Sequence, residues 1–217
     1  MRDKLRVVLI AIIFVIIPFT SYATDSTLAT RESSRLVVDM GQNCIISVKD
    51  YFKGHLVSGM PLNASYWTEN PPVKMLISKF VVNFVCASLM SQSKDEIARQ
   101  HGAVYNVNGK TWVPYFDSER DAKLLGDFTK VGSLESVNGS GFYVIQDDRD
   151  GDPAQRERYL SFCIFHEVIA LCGGEPVMYL SDPKGDLLPY ALDILRSVKF
   201  IDTSAQKSAP ASVPVAQ

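Results

Sequence analysis

The sequence has no excess of positive charge and few of the residues that form catalytic or metal sites. Its 217 residues include 22 Lys and Arg against 24 Asp and Glu, a formal charge of -2, and only three histidines. Proteins that bind nucleic acid usually have a large basic excess, so we expect no nucleic-acid partner. The chain has no metal-binding histidine pair, phosphate-binding loop or nucleophile motif. We therefore expect no enzymatic activity, no metal and no cofactor.

One histidine has an acidic neighbour. His166-Glu167 could transfer a proton, but no nucleophile or oxyanion donor accompanies it in the sequence. The pattern favours a solvated turn.

Long apolar runs are also absent, apart from one near the N-terminus. Residues 1–6 carry three basic side chains, and residues 7–19 form an apolar run of 13 residues. A membrane-spanning helix needs about 20 residues. Small residues at Ser21 and Ala23 match the positions before a signal-peptidase cleavage site, so we predict a secretory signal over residues 1–23. Thr24 follows in place of a lipidated cysteine, and we expect export to the periplasm without stable membrane insertion.

The cysteine spacing does not match a zinc site, in which closely spaced pairs combine with histidines. An even number of cysteines in an exported chain predicts two disulfides, with three alternative pairings. A hairpin over residues 159–174 would place Cys163 opposite Cys172, and Cys44 with Cys86 then follows by elimination. The competing register is one strand over residues 159–171 with a turn at Gly173-Gly174. That strand would separate the two cysteines by about 30 Å at roughly 3.3 Å per residue.

Hydrophobic periodicity predicts one α+β domain over residues 35–202, between an exposed lead (24–34) and a disordered tail (203–217) rich in Ala, Ser, Pro and Gln. We expect an antiparallel sheet with two or three helices packed on one face. The predicted strands cover residues 35–40 and 73–90, with a helix as the alternative for 73–90, and residues 44–52 form a strand or a short helix. A hairpin is predicted at Asn108-Gly109. The predicted helices are 94–101 (capping box Ser93 to Glu96), 118–128 (cap Asp117, apolar side Ala122, Leu125 and Phe128) and 187–198 (cap Asp186).

An acidic segment over residues 146–157 is the first candidate for partner binding. Its four aspartates are Asp147, Asp148, Asp150 and Asp152. The spacing partly matches a calcium-binding loop, but Gln146 replaces the first ligand and Pro153 replaces an apolar residue. Three interpretations stay open: a solvated acidic turn, a calcium loop, or a surface that attracts a basic partner.

The segment over residues 53–73 is the second candidate. Its Gly and Pro residues predict a loop. It contains Met60, Tyr66 and Trp67, which either pack on the core as a lid or form a patch that contacts a partner.

The C-terminal third contains short motifs that resemble exported bacterial α+β proteins of the PsbP-like kind. The motifs are Gly-Phe-Tyr-Val-Ile from 141, Leu-Ser-Phe-Cys-Ile-Phe-His from 160, Leu-Cys-Gly-Gly from 171, Val-Met-Tyr-Leu from 177, and Asp-Ile-Leu-Arg-Ser-Val-Lys-Phe-Ile-Asp from 193. The resemblance implies a PsbP-like fold. It also suggests periplasmic immunity proteins paired with toxins of the type VI secretion system, which are likewise small, exported and disulfide-bonded.

Export, disulfides and the lack of catalytic motifs together favour a non-catalytic periplasmic binding protein. The most concrete hypothesis is an immunity protein that occludes a toxin by protein-protein contact. The alternatives are a small-ligand carrier or envelope assembly factor, and a hydrolase whose motif is not recognised.

Overall fold

The computed structural model describes residues 34–202, so the predicted signal peptide, nearly all of the lead and the predicted tail lie outside the described residues. Within residues 34–202 the chain forms twelve strands and three α-helices, with short 3-10 helices at Gly126–Phe128 and Pro183–Gly185. No helix in this part of the chain is long and apolar enough to cross a membrane. The elements are β1 (Arg35–Asp39), β2 (Ile45–Lys49), β3 (His55–Met60), β4 (Asn63–Thr68), β5 (Phe80–Ser88), α1 (Lys94–Gln100), β6 (Ala103–Asn106), β7 (Thr111–Pro114), α2 (Glu119–Leu125), β8 (Thr129–Glu135), β9 (Ser140–Asp147), β10 (Glu157–His166), β11 (Ile169–Tyr179), α3 (Leu188–Arg196) and β12 (Lys199–Phe200).

The predicted α+β class is confirmed, and its largest element is a seven-stranded antiparallel sheet in the order β3-β4-β5-β11-β10-β9-β8. A smaller sheet has the order β1-β2-β12, and β6 pairs with β7 as a separate ribbon. The long strands alternate buried and less buried positions, as expected when the two faces of a sheet have different coverings.

One face of the large sheet, the closed face, bears the residues Phe84, Leu160 and Phe162. It packs against the small sheet and α3 in a single apolar cluster. The rings of Phe84 and Phe162 meet edge to face with centroids 6.0 Å apart, and both side chains are fully buried. The closed face is therefore the main core of the molecule.

The opposite face, the half-covered face, bears Cys163, Cys172 and Val85. A second apolar cluster there includes Ile97 of α1 and Trp112 of β7, which pack over strands β9 to β11. Helices α1 and α3 thus lie on opposite sides of the sheet, so the prediction that the helices share one face is wrong. The apolar stripe of each helix predicts that the helix is buried, but not which face of the sheet it covers.

The predicted cysteine hairpin is confirmed. Strands β10 and β11 pair with Cys163 directly opposite Cys172, with Cα atoms 4.1 Å apart and a disulfide between them. The turn is at Glu167-Val168, and Gly173-Gly174 lies inside β11. Cys44 forms the second predicted disulfide, with Cys86.

Most local sequence signals predict the correct type of element, but the ends of the element are displaced by a few residues. The capping box is present, since Ser93 accepts a hydrogen bond from the Glu96 amide while the Glu96 carboxylate accepts one from the Ser93 amide. The Asn108-Gly109 hairpin forms with a four-residue turn, since Asn106 pairs with Thr111. The predicted caps at Asp117 and Asp186 are displaced, because Ser118 caps α2 and Leu187 is the N-cap of α3.

Two predicted segments are wrong in type or extent. Residues 53–73 were expected to be a loop, but most of this segment forms β3 and β4. Pro61 lies in the turn between these strands, and the alternation in β4 buries Ala64, Tyr66 and Thr68, so the breakers do not interrupt the pairing. The strand predicted over 73–90 is only β5, because the chain is irregular before Phe80.

Candidate functional site

The acidic segment connects β9 to β10, and its first aspartate is not a free charge. Asp147 accepts two hydrogen bonds from the Arg158 guanidinium, at 2.6 and 2.8 Å. This contact is the main reason that the pKa of Arg158 is raised, and Asp186 lies 3.5 Å from the same guanidinium. The charge of Asp147 is thus compensated within the fold, and its role in attracting a partner stays a prediction.

The other three aspartates are exposed at the tip of this loop. Asp148 accepts the Glu157 amide at 3.1 Å, and Asp152 accepts the Ala154 amide at 3.0 Å. The Asp150 side chain is 93% exposed and lies 4.0 Å from Arg149. All three carboxylates face solvent, and backbone amides hold those of Asp148 and Asp152. Within residues 34–202, the side chains of this loop do not gather three ligand groups as a metal site would.

The acidic loop contacts α2, and the two form one surface. Arg149 donates a hydrogen bond to the Leu124 carbonyl at 2.8 Å, and its guanidinium lies over the Phe128 ring at 5.6 Å. The predicted apolar side of α2 does not dock on the sheet, since α2 buries none of its residues. Leu124 and Phe128 are each 41% exposed. We call residues 117–127 and 147–158 the acidic end, which has nine acidic and five basic side chains.

A cleft of about 370 Å³ opens beside the acidic end, on the half-covered face. Its floor includes Tyr159 and Gln146, which are in register with Thr129 across three neighbouring strands. Tyr159 is 45% exposed, and burial followed by the charge of Glu175 raises the pKa of its phenol. Aromatic and acidic side chains form the rim, namely Tyr115, Phe116, Asp117 and Asp121.

A histidine and a serine meet at the back of this cleft. His101 Nδ1 lies 3.1 Å from Ser161 Oγ, and burial lowers the pKa of the imidazole. A ring nitrogen of His101 lies within 4.8 Å of both sulfurs of the Cys163–Cys172 disulfide. Among the described residues the His101 ring makes no hydrogen bond to a carboxylate, and Ser161 lies within a regular strand. The pair thus differs from a catalytic triad, in which a third group orients the histidine and a turn exposes the serine.

The second candidate segment does not form one patch. Tyr66 is completely buried and donates a hydrogen bond to Asp50 Oδ1 at 3.2 Å. Its burial raises the pKa of its phenol. The prediction that Tyr66 contacts a partner is wrong, because it points to the closed face.

Met60 and Trp67 lie on the half-covered face but are separated along the strands. Met60 is 66% exposed at the end of β3, whereas Trp67 is half-buried against His55 with ring centroids 4.5 Å apart. Trp67 lines a groove of about 590 Å³ together with Pro71, Met75, Lys79 and Val81.

Sequence reasoning missed Phe128, Leu124 and Tyr159 as exposed apolar residues. Phe128 and Tyr159 gave no signal, because their exposure depends on where α2 lies relative to the sheet. No known family model matches the chain, and no curated protein is detectably similar to it.

Proposed function

We propose that this chain is a non-catalytic periplasmic binding protein that captures a basic partner protein through its acidic end, and that the partner is a secreted toxin whose immunity protein it is. The observation that carries the proposal is the combination of exposed apolar side chains with exposed carboxylates on one surface. Phe128, Leu124 and Tyr159 are exposed beside Asp148, Asp150 and Asp152.

These two groups have different roles in binding. Large apolar side chains that become buried at the centre of an interface supply most of the binding energy. Surrounding charges increase the association rate and discriminate among partners. An acidic surface attracts a basic protein and repels nucleic-acid phosphates, which supports a protein partner over a nucleic-acid one.

The cleft offers a site for one basic side chain of the partner. Asp117 and Asp121 can accept hydrogen bonds from a guanidinium, while Phe116 and Tyr159 provide ring faces for it. The Tyr115 ring already has the guanidinium of Arg99 over it, at 5.3 Å. If a toxin inserted a loop bearing an arginine or lysine into this cleft, the bound chain would sterically block that part of the toxin.

Two disulfides fit an oxidising, exported environment, and the periplasm is the specific compartment that we propose. The α+β class is compatible with the PsbP-like resemblance. Kinship with PsbP-like proteins remains part of this proposal.

The test is binding of the mature chain, residues 24–217, to the secreted protein encoded beside its gene, measured by biolayer interferometry at low and high salt. The triple variant D148N/D150N/D152N should slow association about tenfold at low salt. The control E69Q/E135Q/D193N removes the same number of charges elsewhere and should associate at the native rate. Tyr159→Ala and Phe128→Ala should instead speed dissociation.

The proposal also requires inhibition. The native chain should protect a susceptible cell from the partner, and the triple variant should protect it less. No binding to the neighbouring gene product, or equal loss in the triple variant and the control, contradicts the proposal.

The groove beside Trp67 favours a second candidate, a carrier of a small apolar ligand. Its volume of about 590 Å³ is within the usual range of ligand sites. 8-Anilinonaphthalene-1-sulfonate should then bind one to one, and Trp67→Ala should abolish the fluorescence increase while Phe128→Ala leaves it intact. Absence of dye binding contradicts the carrier function.

A further inference from the structure

Three potential metal ligands meet at the tip of the β10–β11 hairpin, away from the acidic end. His166 is the last residue of β10, Glu167 begins the turn that follows, and Asp202 comes two residues after β12. One ligand atom from each lies within 4.8 Å of the others. His166 and Asp202 are 36 residues apart, so the sequence pattern gave no sign of this cluster.

The hydrogen bonds of His166 determine which ring nitrogen has the proton. Nδ1 lies 2.7 Å from the Asn138 carbonyl oxygen, and a carbonyl can only accept, so Nδ1 donates. Nε2 lies 3.1 Å from Asp202 Oδ1, and a carboxylate oxygen also only accepts. In the neutral imidazole the lone pair of Nε2 therefore points at Asp202 Oδ1, and a cation between the two atoms would interact with both.

That cation is either a proton or a metal ion. A proton would give an ion pair that needs Asp202 alone, whereas the second carboxylate, from Glu167, suits a divalent ion. Zn²⁺ takes imidazole and carboxylate ligands at about 2.1 Å. At the tetrahedral angle two such ligands lie about 3.4 Å apart, and Nε2 and Oδ1 are already within 3.1 Å of each other.

The histidine is oriented as metal-binding histidines usually are. A backbone carbonyl fixes the tautomer, as in the outer shell of known metal sites. The ring stacks on Phe200 with centroids 4.8 Å apart, and its side chain is only 13% exposed. Asn138 is itself fixed, because its amide side chain hydrogen bonds to both the N–H and the carbonyl of Phe200. The Asp202 side chain is 48% exposed, so an ion can enter from solvent with water as a further ligand.

We propose that His166, Glu167 and Asp202 bind one Zn²⁺ ion or a similar divalent transition-metal ion. The ion joins the end of β12 to the tip of the β10–β11 hairpin. This site is independent of the proposed partner surface.

The test uses the untagged mature chain after dialysis against EDTA, titrated with ZnCl₂ at pH 7.5 by isothermal calorimetry. We expect one ion per chain and a melting temperature raised by about 4 °C or more at saturating metal. Glu167→Gln should weaken binding at least tenfold, and Asp202→Asn should abolish it. The control Glu135→Gln removes an exposed carboxylate from β8 and should bind Zn²⁺ as the native chain does.

The Glu167→Gln variant distinguishes a metal site from a simple contact between His166 and Asp202. Within residues 34–202 the Glu167 side chain makes no hydrogen bond, so its loss leaves the metal-free fold and the His166–Asp202 pair intact. Absence of stoichiometric binding, or equal Zn²⁺ affinity in Glu167→Gln and Glu135→Gln, overturns the proposal. In that case His166 and Asp202 form a hydrogen-bonded pair without a metal ion.

Discussion

The two faces of the seven-stranded sheet differ in what covers them. The closed face is covered by the small sheet and α3, and its aromatic side chains are fully buried. The half-covered face has α1 and the β6–β7 ribbon over strands β8 to β11, while Val57, Met60 and Val85 on β3 to β5 are 44–66% exposed. The difference indicates that stability resides mainly on the closed face and that the other face is available for contacts.

Each face also has its own disulfide. Cys44–Cys86 belongs to the apolar cluster of the closed face and joins residues 42 apart. Cys163–Cys172 belongs to the other cluster and joins residues only 9 apart in one hairpin. The closed face thus has the longer covalent loop in addition to the larger core.

The sharpest test of this contrast uses two neighbours on β5. Phe84 is fully buried on the closed face, and Val85 is 44% exposed on the other. Phe84→Ala should lower the free energy of unfolding by about 3–5 kcal/mol, because it leaves a cavity in the core. Val85→Ala should cost less than about 0.5 kcal/mol. Urea denaturation measures both, and similar losses in the two variants would show that the faces contribute equally.

Removal of each disulfide compares the two covalent loops. The chain-entropy model predicts a loss of about 4 kcal/mol for Cys44→Ala with Cys86→Ala, and about 2.7 kcal/mol for Cys163→Ala with Cys172→Ala. Both double variants can be compared by guanidinium denaturation without reductant. A larger loss from the hairpin pair would reverse the ranking of the two faces.

Removing the N-caps of α1 and α2 tests how much each helix on the half-covered face contributes to stability. Ser93 and Ser118 each accept a hydrogen bond from the amide three residues ahead, but α1 buries Ile97 and Ala98 while α2 buries none of its residues. Ser93→Ala should therefore cost about 1 kcal/mol. Ser118→Ala should cost clearly less in the same thermal denaturation series, because α2 can fray without exposing a core. Equal costs would indicate that α2 stabilises the domain as much as α1.

The smallest effect concerns Glu175, which lies where β5 and β11 separate. Its Oε1 accepts the Asn83 amide at 2.8 Å beyond the last paired residues, Cys172 and Val85. Burial raises the pKa of this carboxyl. At pH values just above the ordinary carboxyl pKa, Glu175 is therefore protonated more often in the folded state than in the unfolded state. The free energy of unfolding then falls as the pH rises through the raised pKa of Glu175.

Glu175→Gln keeps the acceptor and removes this titration. The variant should be at least as stable as the native chain at pH 7, and its advantage should disappear on acidification to pH 4. Thermal melts across this range provide the measurement. If the stability of the native chain relative to the variant instead increased with pH, folding would lower the pKa of Glu175 rather than raise it.

Features that depend on neighbours in the sequence could be predicted. The register of Cys163 with Cys172, the capping box at Ser93 and the hairpin containing Asn108-Gly109 all arise from residues within about a dozen positions of one another. The predicted helix ends shifted by only a few residues for the same reason. Local geometry restricts each of these segments to few arrangements.

Features that depend on distant residues could not be predicted. The burial of Tyr66 requires Asp50 and the closed face, and the compensation of Asp147 requires Arg158 in the next strand. The prediction that all helices share one face was wrong because an apolar stripe specifies that a helix is buried, but not against which side of a sheet. The candidate site was therefore only partly foreseen: Asp148, Asp150 and Asp152 are exposed as expected, whereas Phe128 and the cleft arise from the packing of α2.

The pairing of β12 with β2 has a consequence for the order of events during synthesis. These two strands come from opposite ends of the domain, and Phe200 pairs with Ile46 in the small sheet that covers the main core. Folding of that layer requires contacts with large sequence separation, which form slowly. The layer cannot be completed until residue 200 has left the ribosome. If the chain crosses a membrane unfolded, its core stays incomplete until the last strand has crossed as well.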